Sequence, residues 1–165
     1  MSYFVIIRGP LGCGKSTIAK KLAELLHAEY VSTDSLLEKL GLDKADHYEG
    51  TIPVKNFIEA DEMILPDIKK KLEEGRNVVF DGCFQHKAQI EHLISNLSAA
   101  HYVFTLKAPL EVCIERDSKR KRVYGKDAAR AVHNLVSRFD YGIIIDVTKS
   151  LDKVIQEILS YLPKP

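Results

Sequence analysis

The sequence predicts an α/β domain, a parallel sheet of five strands covered by helices on both faces. Three observations carry this. Short apolar, β-branched runs alternate with longer stretches of helical periodicity along the whole chain, as in successive right-handed βα units. Most of these runs are apolar throughout, as strands buried on both faces require. A glycine-rich turn, Gly9-Pro10-Leu11-Gly12-Cys13-Gly14-Lys15-Ser16, joins the first run to the first helical stretch.

The elements follow in chain order. Residues 3–7 (YFVII) form the first strand, and residues 15–27 a helix with apolar positions 18, 19, 22, 23, 25 and 26 on one side. A strand at 30–32 precedes a long helix at 54–74, where Pro66 is expected to kink or break the helix. Then come a strand at 77–80 (NVVF), a helix at 85–97, a strand at 102–106 (YVFTL) and helices at 109–120 and 127–138. A strand at 142–145 (GIII) and a helix at 151–162 close the chain. No internal repeat is present, and residues 1–165 read as one domain.

Composition narrows the function. With 45% hydrophobic and 28% charged residues, the chain is neither disordered nor fibrous. A net charge of +1 argues against a protein that coats nucleic acid. Three widely spaced cysteines make neither a disulfide framework nor a zinc site, which suggests a reducing, cytoplasmic setting. The N-terminal apolar run lacks a basic flank and is too short for a leader, and no stretch is long enough for a membrane span. The six histidines lack metal-ligand spacing, and no GxSxG element marks a serine nucleophile.

Residues 9–16 match GxxxxGK[ST] at every fixed position, between a strand and a helix as that motif requires. Gly9, Gly12 and Gly14 let backbone N–H groups, together with those of Cys13 and Thr17, turn inward on an anion at a helix N-terminus. Lys15 supplies a point charge for the β- and γ-phosphates of ATP, and Ser16 a hard oxygen for Mg²⁺. Cys13 lies where a helix dipole could lower a thiol pKa, although small side chains fit that position for packing alone.

The segments IIRGPLGCGKSTIAKKLAELL, VSTDSLL and VVFDGCF together resemble the small P-loop kinases. The likeness is to the polynucleotide-kinase-like and zeta-toxin-like (AAA_33) group, with adenylate, shikimate, gluconate and adenylylsulfate kinases as more distant cousins. It covers nearly the whole chain in element order, with the specific motifs in the first 35 or so residues and at the third strand. The resemblance implies a three-layer fold with strand order 2-3-1-4-5, an Arg-rich lid after the fourth strand, and transfer of the ATP γ-phosphate to an acceptor.

Asp34 follows the second strand, at the sheet edge where open α/β folds bind ligands. The resemblance implies that it orients or deprotonates the acceptor hydroxyl; as a bare sequence feature it is equally an N-cap for SLLEKL. Asp81 ends Val78-Val79-Phe80 as a carboxylate for Mg²⁺, or simply opens the next loop. An adenylate kinase would continue the Asp81-Gly82 pair with Phe-Pro-Arg; Cys83-Phe84-Gln85 stands here, which weakens any case for a nucleoside monophosphate.

Two segments differ sharply in charge. Residues 34–74 hold eleven acidic and six basic side chains, and residues 116–130 two acidic and seven basic. The resemblance makes the first an acceptor-side helical insertion and places the lid at about 116–126. Within the lid, the bidentate fork of arginine favours Arg116, Arg120 and Arg122 over the lysines for phosphate, and the resemblance also sets Arg116 beside adenine; the plain alternative is a solvated basic helix. Arg116 and Arg120 share a helix face by their spacing. Arg138, with Arg130 on the same helix, is a weaker phosphate candidate, and Thr148 lies in a loop that skirts adenine in related kinases.

ATP, Mg²⁺ and an unidentified acceptor are the expected partners, with the chain a monomer or homodimer. The acidic insertion favours a small neutral acceptor such as a nucleoside or sugar; a nucleic-acid end stays open because of the basic segment. A non-catalytic nucleotide sensor is the remaining alternative. A GTPase would carry N-K-x-D, which Thr148-Lys149-Ser150-Leu151-Asp152 does not match. An AAA+ motor needs more chain, and a transporter ATPase needs an LSGGQ segment.

Overall fold

The computed structural model describes every residue except Glu49, a member of the acidic 34–74 stretch that lies outside the described residues. Among the described residues twelve elements follow one another: β1 (Tyr3–Arg8), α1 (Lys15–Leu25), β2 (Glu29–Ser32), α2 (Thr33–Lys39), α3 (Val54–Glu73), β3 (Val78–Gly82), α4 (Lys87–Asn96), β4 (Ala100–Lys107), α5 (Leu110–Ser118), α6 (Lys126–Val136), β5 (Ile143–Asp146) and α7 (Leu151–Tyr161). The strands form one parallel sheet in the order β2-β3-β1-β4-β5.

β1 shows how this sequence builds three layers. Side chains alternate across a strand, so Tyr3, Val5 and Ile7 enter the core under α1 and α7, while Phe4 and Ile6 enter the core under α3 and α4. Each fully buried Phe or Ile contributes about 1.5–3 kcal/mol, so a central strand apolar on both faces anchors both layers. A third cluster, Leu37, Phe57 and Ala60, joins α2 to α3.

The order places a topological switch between β1 and β3, since β1 connects outward to β2 while β3 crosses to β4. Ligands of open α/β sheets bind beyond the strand ends at such a switch. The register sets Ile7 beside Asp81 and Arg8 beside Gly82, which brings the end of β3 next to the glycine-rich turn.

Two expectations need correction. α3 runs unbroken through Pro66. That residue lies on the exposed face, where water can satisfy the carbonyl it frees, and buried Leu65, Ile68 and Leu72 hold the helix on its other side. Asp34 is not a helix cap. The cap of α2 is Ser32, whose Oγ accepts from the Ser35 amide at 3.2 Å, and Asp34 stands within the first turn. Among the described residues no helix is long and apolar enough to cross a membrane.

Candidate active site

The turn after β1 is shaped by what surrounds it. Gly12 has φ +82°, and a Cβ there would sit 2.2 Å from the Cys113 carbonyl oxygen, so only glycine fits. Gly14 caps α1, leaving the amides of its first turn directed at an anion site. Cys13 is fully buried, and its Sγ fills the space a Cβ on Gly9 would need. Burial pushes its thiol up, with Lys15 opposing, so Cys13 is a packing residue with an inert thiol.

Two cavities open around the turn. One, of about 280 Å³, is lined by Gly12, Gly14, Lys15, Ser16, Thr17, Arg116 and Arg120. The other, of about 340 Å³, has Lys15, Ser16, Asp34, Asp81 and Arg120 among its lining residues, together with apolar Leu37, Ile52 and Phe57. Lys15, Ser16 and Arg120 belong to both, so the cavities meet at these residues.

Lys15 is buried among acids. Burial opposes its charge, while Cys83, Asp34, Cys13 and Asp81 outweigh that and raise its pKa. Both thiols are themselves pushed up and neutral at pH 7, so the work falls to the two carboxylates. Lys15 is therefore firmly an ammonium.

Asp34 accepts a hydrogen bond from the Cys83 amide at 3.2 Å, which ties the first turn of α2 to the loop after β3. That loop lies close against α2: a Cβ on Gly82 would meet Thr33 Oγ1 at 2.1 Å. Asp81 is buried, with one carboxylate oxygen bonded by the Tyr30 hydroxyl. Its other oxygen, Oδ1, is buried without a partner. Desolvation and the Asp81 carboxylate hold the Tyr30 hydroxyl above the ordinary phenol range, so it remains a donor at any ordinary pH.

The donor set fits Mg²⁺. Asp81, whose Oδ1 is buried without a protein partner, lines the same cavity as Ser16, and Mg²⁺ takes few protein ligands because phosphates and water fill most of its shell. Among the described residues no group of three or more His, Cys, Asp and Glu side chains is placed to hold a metal ion.

The arginines separate. Arg116 donates to the Cys13 carbonyl at 2.9 Å and to the Val147 carbonyl at 2.8 Å, tying the glycine-rich turn to the loop after β5. Arg120 lies beyond the end of α5, so the shared helix face expected with Arg116 is not formed, although both line the smaller cavity. Arg122 pairs with Glu38 of α2 at 3.2 Å, and Arg120 and Arg122 lie 5.4 and 5.1 Å from the Tyr124 ring centroid. Arg130 and Arg138 are exposed and line neither cavity. Thr148 also lies outside both; its hydroxyl and amide bond Asp146 at 2.7 and 2.9 Å within its own turn.

Sequence reasoning missed two residues here, Tyr30 and the buried Arg8 at the end of β1. A signal was available for Arg8 alone, an arginine that closes an otherwise apolar strand on the edge where ligands bind; Tyr30 opens its short run and carries no such mark.

The fold and the phosphate-binding turn define a P-loop kinase domain. The AAA_33 family model, an AAA domain, matches residues 4–140, and the chain belongs to that family. A cytidylate kinase of Ignicoccus hospitalis is 33% identical over 131 residues, which cover 78% of this chain and 70% of that one. A protein of Pyrococcus furiosus bearing an adenylate kinase name is 37% identical over 125 residues; the match takes in 74% of this chain but only 57% of the relative's length. The structure of a sugar kinase from Janibacter sp. superposes with a TM-score of 0.80 at 16% identity, over 98% of this chain and 94% of that one.

Proposed function

We propose that this protein transfers the γ-phosphate of ATP to a hydroxyl of a small acceptor. The observation that carries the reading is the pair of cavities meeting at Lys15, Ser16 and Arg120. One cavity has the phosphate-binding turn as its wall, and the other has Asp34 and Asp81. Phosphoryl transfer needs little else than two substrates held in line and charge placed where it develops. The relatives agree in kind: the Ignicoccus protein is a cytidylate kinase and the Janibacter structure a sugar kinase.

In this reading ATP phosphates lie on the amides of residues 12–17, with Lys15 on the β- and γ-phosphates. Ser16 Oγ and Asp81 Oδ1 hold Mg²⁺, which neutralises phosphate charge when bound. Asp34 orients the acceptor hydroxyl or takes its proton. Arg116 organises the base side of the site through its two carbonyl bonds, Arg120 sits where the phosphoryl group passes, and residues 116–126 act as the lid. Arg122 pairs with Glu38 of α2, and both line the larger cavity, which supports that closure. Leu37, Ile52 and Phe57 supply apolar lining on which an acceptor could rest. Both lining carboxylates near Asp34, Glu38 and Asp43, disfavour a multiply charged anion such as a nucleic-acid strand.

ADP release from ATP·Mg²⁺, measured against a panel of nucleosides, sugars, amino alcohols, nucleoside monophosphates and oligonucleotide ends, tests the reading. Stimulation by one small hydroxyl compound is expected. Tight ATP binding with no stimulation by any of them would favour a sensor instead.

Tyr30 supplies a second test. Its hydroxyl fixes one oxygen of Asp81 and leaves the other free for the metal. Tyr30→Phe is expected to raise the Mg²⁺ concentration needed for half-maximal rate about 10–100-fold, the usual cost of losing a group that orients a metal ligand. An unchanged Mg²⁺ dependence would remove Tyr30 from the metal site.

A further inference from the structure

We propose that Arg8 is a positioning residue: through the Phe84 carbonyl it holds the 81–85 turn so that the Cys83 amide meets the Asp34 carboxylate. What this does for transfer rests on the acceptor role proposed for Asp34; the positioning itself does not.

Arg8 continues the alternation of Phe4 and Ile6 into the α3 and α4 side of the sheet, where it is fully buried. A buried guanidinium is costly unless its donors are used. Here Nε donates to the Phe84 carbonyl at 3.2 Å, Nη1 to Thr105 Oγ1 and to the Phe139 carbonyl at 3.1 Å each, and Nη2 to the Val136 carbonyl at 3.0 Å. Its central carbon lies 4.3 Å from the Phe139 ring centroid. Burial draws its pKa down to about 10, with Asp140 and Cys83 opposing, so it stays charged at neutral pH. Among the described residues no carboxylate lies within ion-pair distance of it. Its charge is spread instead over three carbonyls, of Phe84, Val136 and Phe139, and the Thr105 hydroxyl.

Phe84 is the informative one. Its φ is +46°, a left-handed conformation that bulky residues avoid. Such strain persists only where the surroundings over-determine it, and it concentrates at functional sites. The Phe84 ring is fully buried and its carbonyl is held by Arg8. One residue earlier, the Cys83 amide donates to Asp34 Oδ2; one residue later, Gln85 donates to Thr51 Oγ1 at 2.7 Å. The turn therefore faces the larger cavity with Cys83 and Gln85 while Arg8 grips it from behind. The far end of the same fork grips the end of α6 and the segment after it.

Arg8→Lys tests this, because an ammonium keeps the charge but cannot span acceptors set out for a planar fork. The reporter is alkylation by iodoacetamide at mildly alkaline pH, followed cysteine by cysteine in peptides. Cys83 is half-buried and lines the larger cavity, whereas Cys13 and Cys113 are fully buried. Loss of one charge-assisted hydrogen bond is expected to speed Cys83 alkylation about tenfold, with a similar gain in amide exchange at residues 83–85. Cys13, Cys113 and the β3 amides should stay as protected as in the wild type. Phe139→Leu removes the stacked ring but no hydrogen-bond acceptor, and should move Cys83 in the same direction by less. An unchanged Cys83 rate in folded Arg8→Lys, or acceleration of all three cysteines together, would overturn the proposal, the latter making Arg8 a general strut. ATP affinity, measured alongside by calorimetry, should be kept in both variants. If even the wild type binds no ATP, the kinase reading fails while the alkylation pattern still decides the role of Arg8.

Discussion

Lys15→Ala is expected to leave a folded protein whose acceptor-dependent ADP release is reduced about 10²–10³-fold, the scale on which single preorganised charges act in such sites. The side chain is buried at the start of α1 and lines both cavities. Removing it takes away the ammonium whose charge Asp34 and Asp81 support, so on the proposed reading ATP affinity should fall along with turnover. Alanine is a good helix former at this position, and the amides of the turn are untouched. The fold should therefore survive, which circular dichroism checks. Unchanged ATP affinity and turnover in a folded Lys15→Ala protein would sink the nucleotide site.

Asp34→Asn carries the second large effect. Asparagine preserves shape and can still accept from the Cys83 amide, so the link between α2 and the 81–85 turn should hold. Because Ser32 caps α2, the helix end does not depend on Asp34. The stability lost is the interaction of a first-turn carboxylate with the helix dipole, about 0.3–1 kcal/mol. Transfer should nevertheless fall about 10²–10⁴-fold with ATP affinity retained, as expected of a group that orients or deprotonates the acceptor. A rate within about twofold of wild type would leave Asp34 a structural link between two loops.

Much of this site could be read along the chain because its parts are local. Residues 9–17 are contiguous, and Asp34 and Asp81 each end or follow a short apolar run. The strand order came from resemblance, since nothing in β2 or β3 alone says which neighbour each will choose. The local readings that failed did so for local reasons. A serine two residues before Asp34 offered an equally good cap, and Pro66 fell on the exposed side of a helix anchored by its other face. Arg8 escaped notice because its partners lie 76 to 131 residues away. As a bare sequence feature it was only the charge that ends a strand. Arg120 shows the converse: its helical spacing from Arg116 was legible, but α5 ends at Ser118, and the two meet at one cavity by the path of the chain beyond the helix.

The central claim is that the γ-phosphate of ATP ends on a hydroxyl of a small acceptor. Phosphorus NMR of ATP·Mg²⁺ with the wild-type protein and the acceptor that stimulates ADP release follows that phosphate directly. A phosphomonoester resonance growing in step with ADP, and growing about 10²–10³-fold more slowly with Lys15→Ala, is the predicted result. Inorganic phosphate as the only product, appearing at a rate that the acceptor does not change, would contradict it.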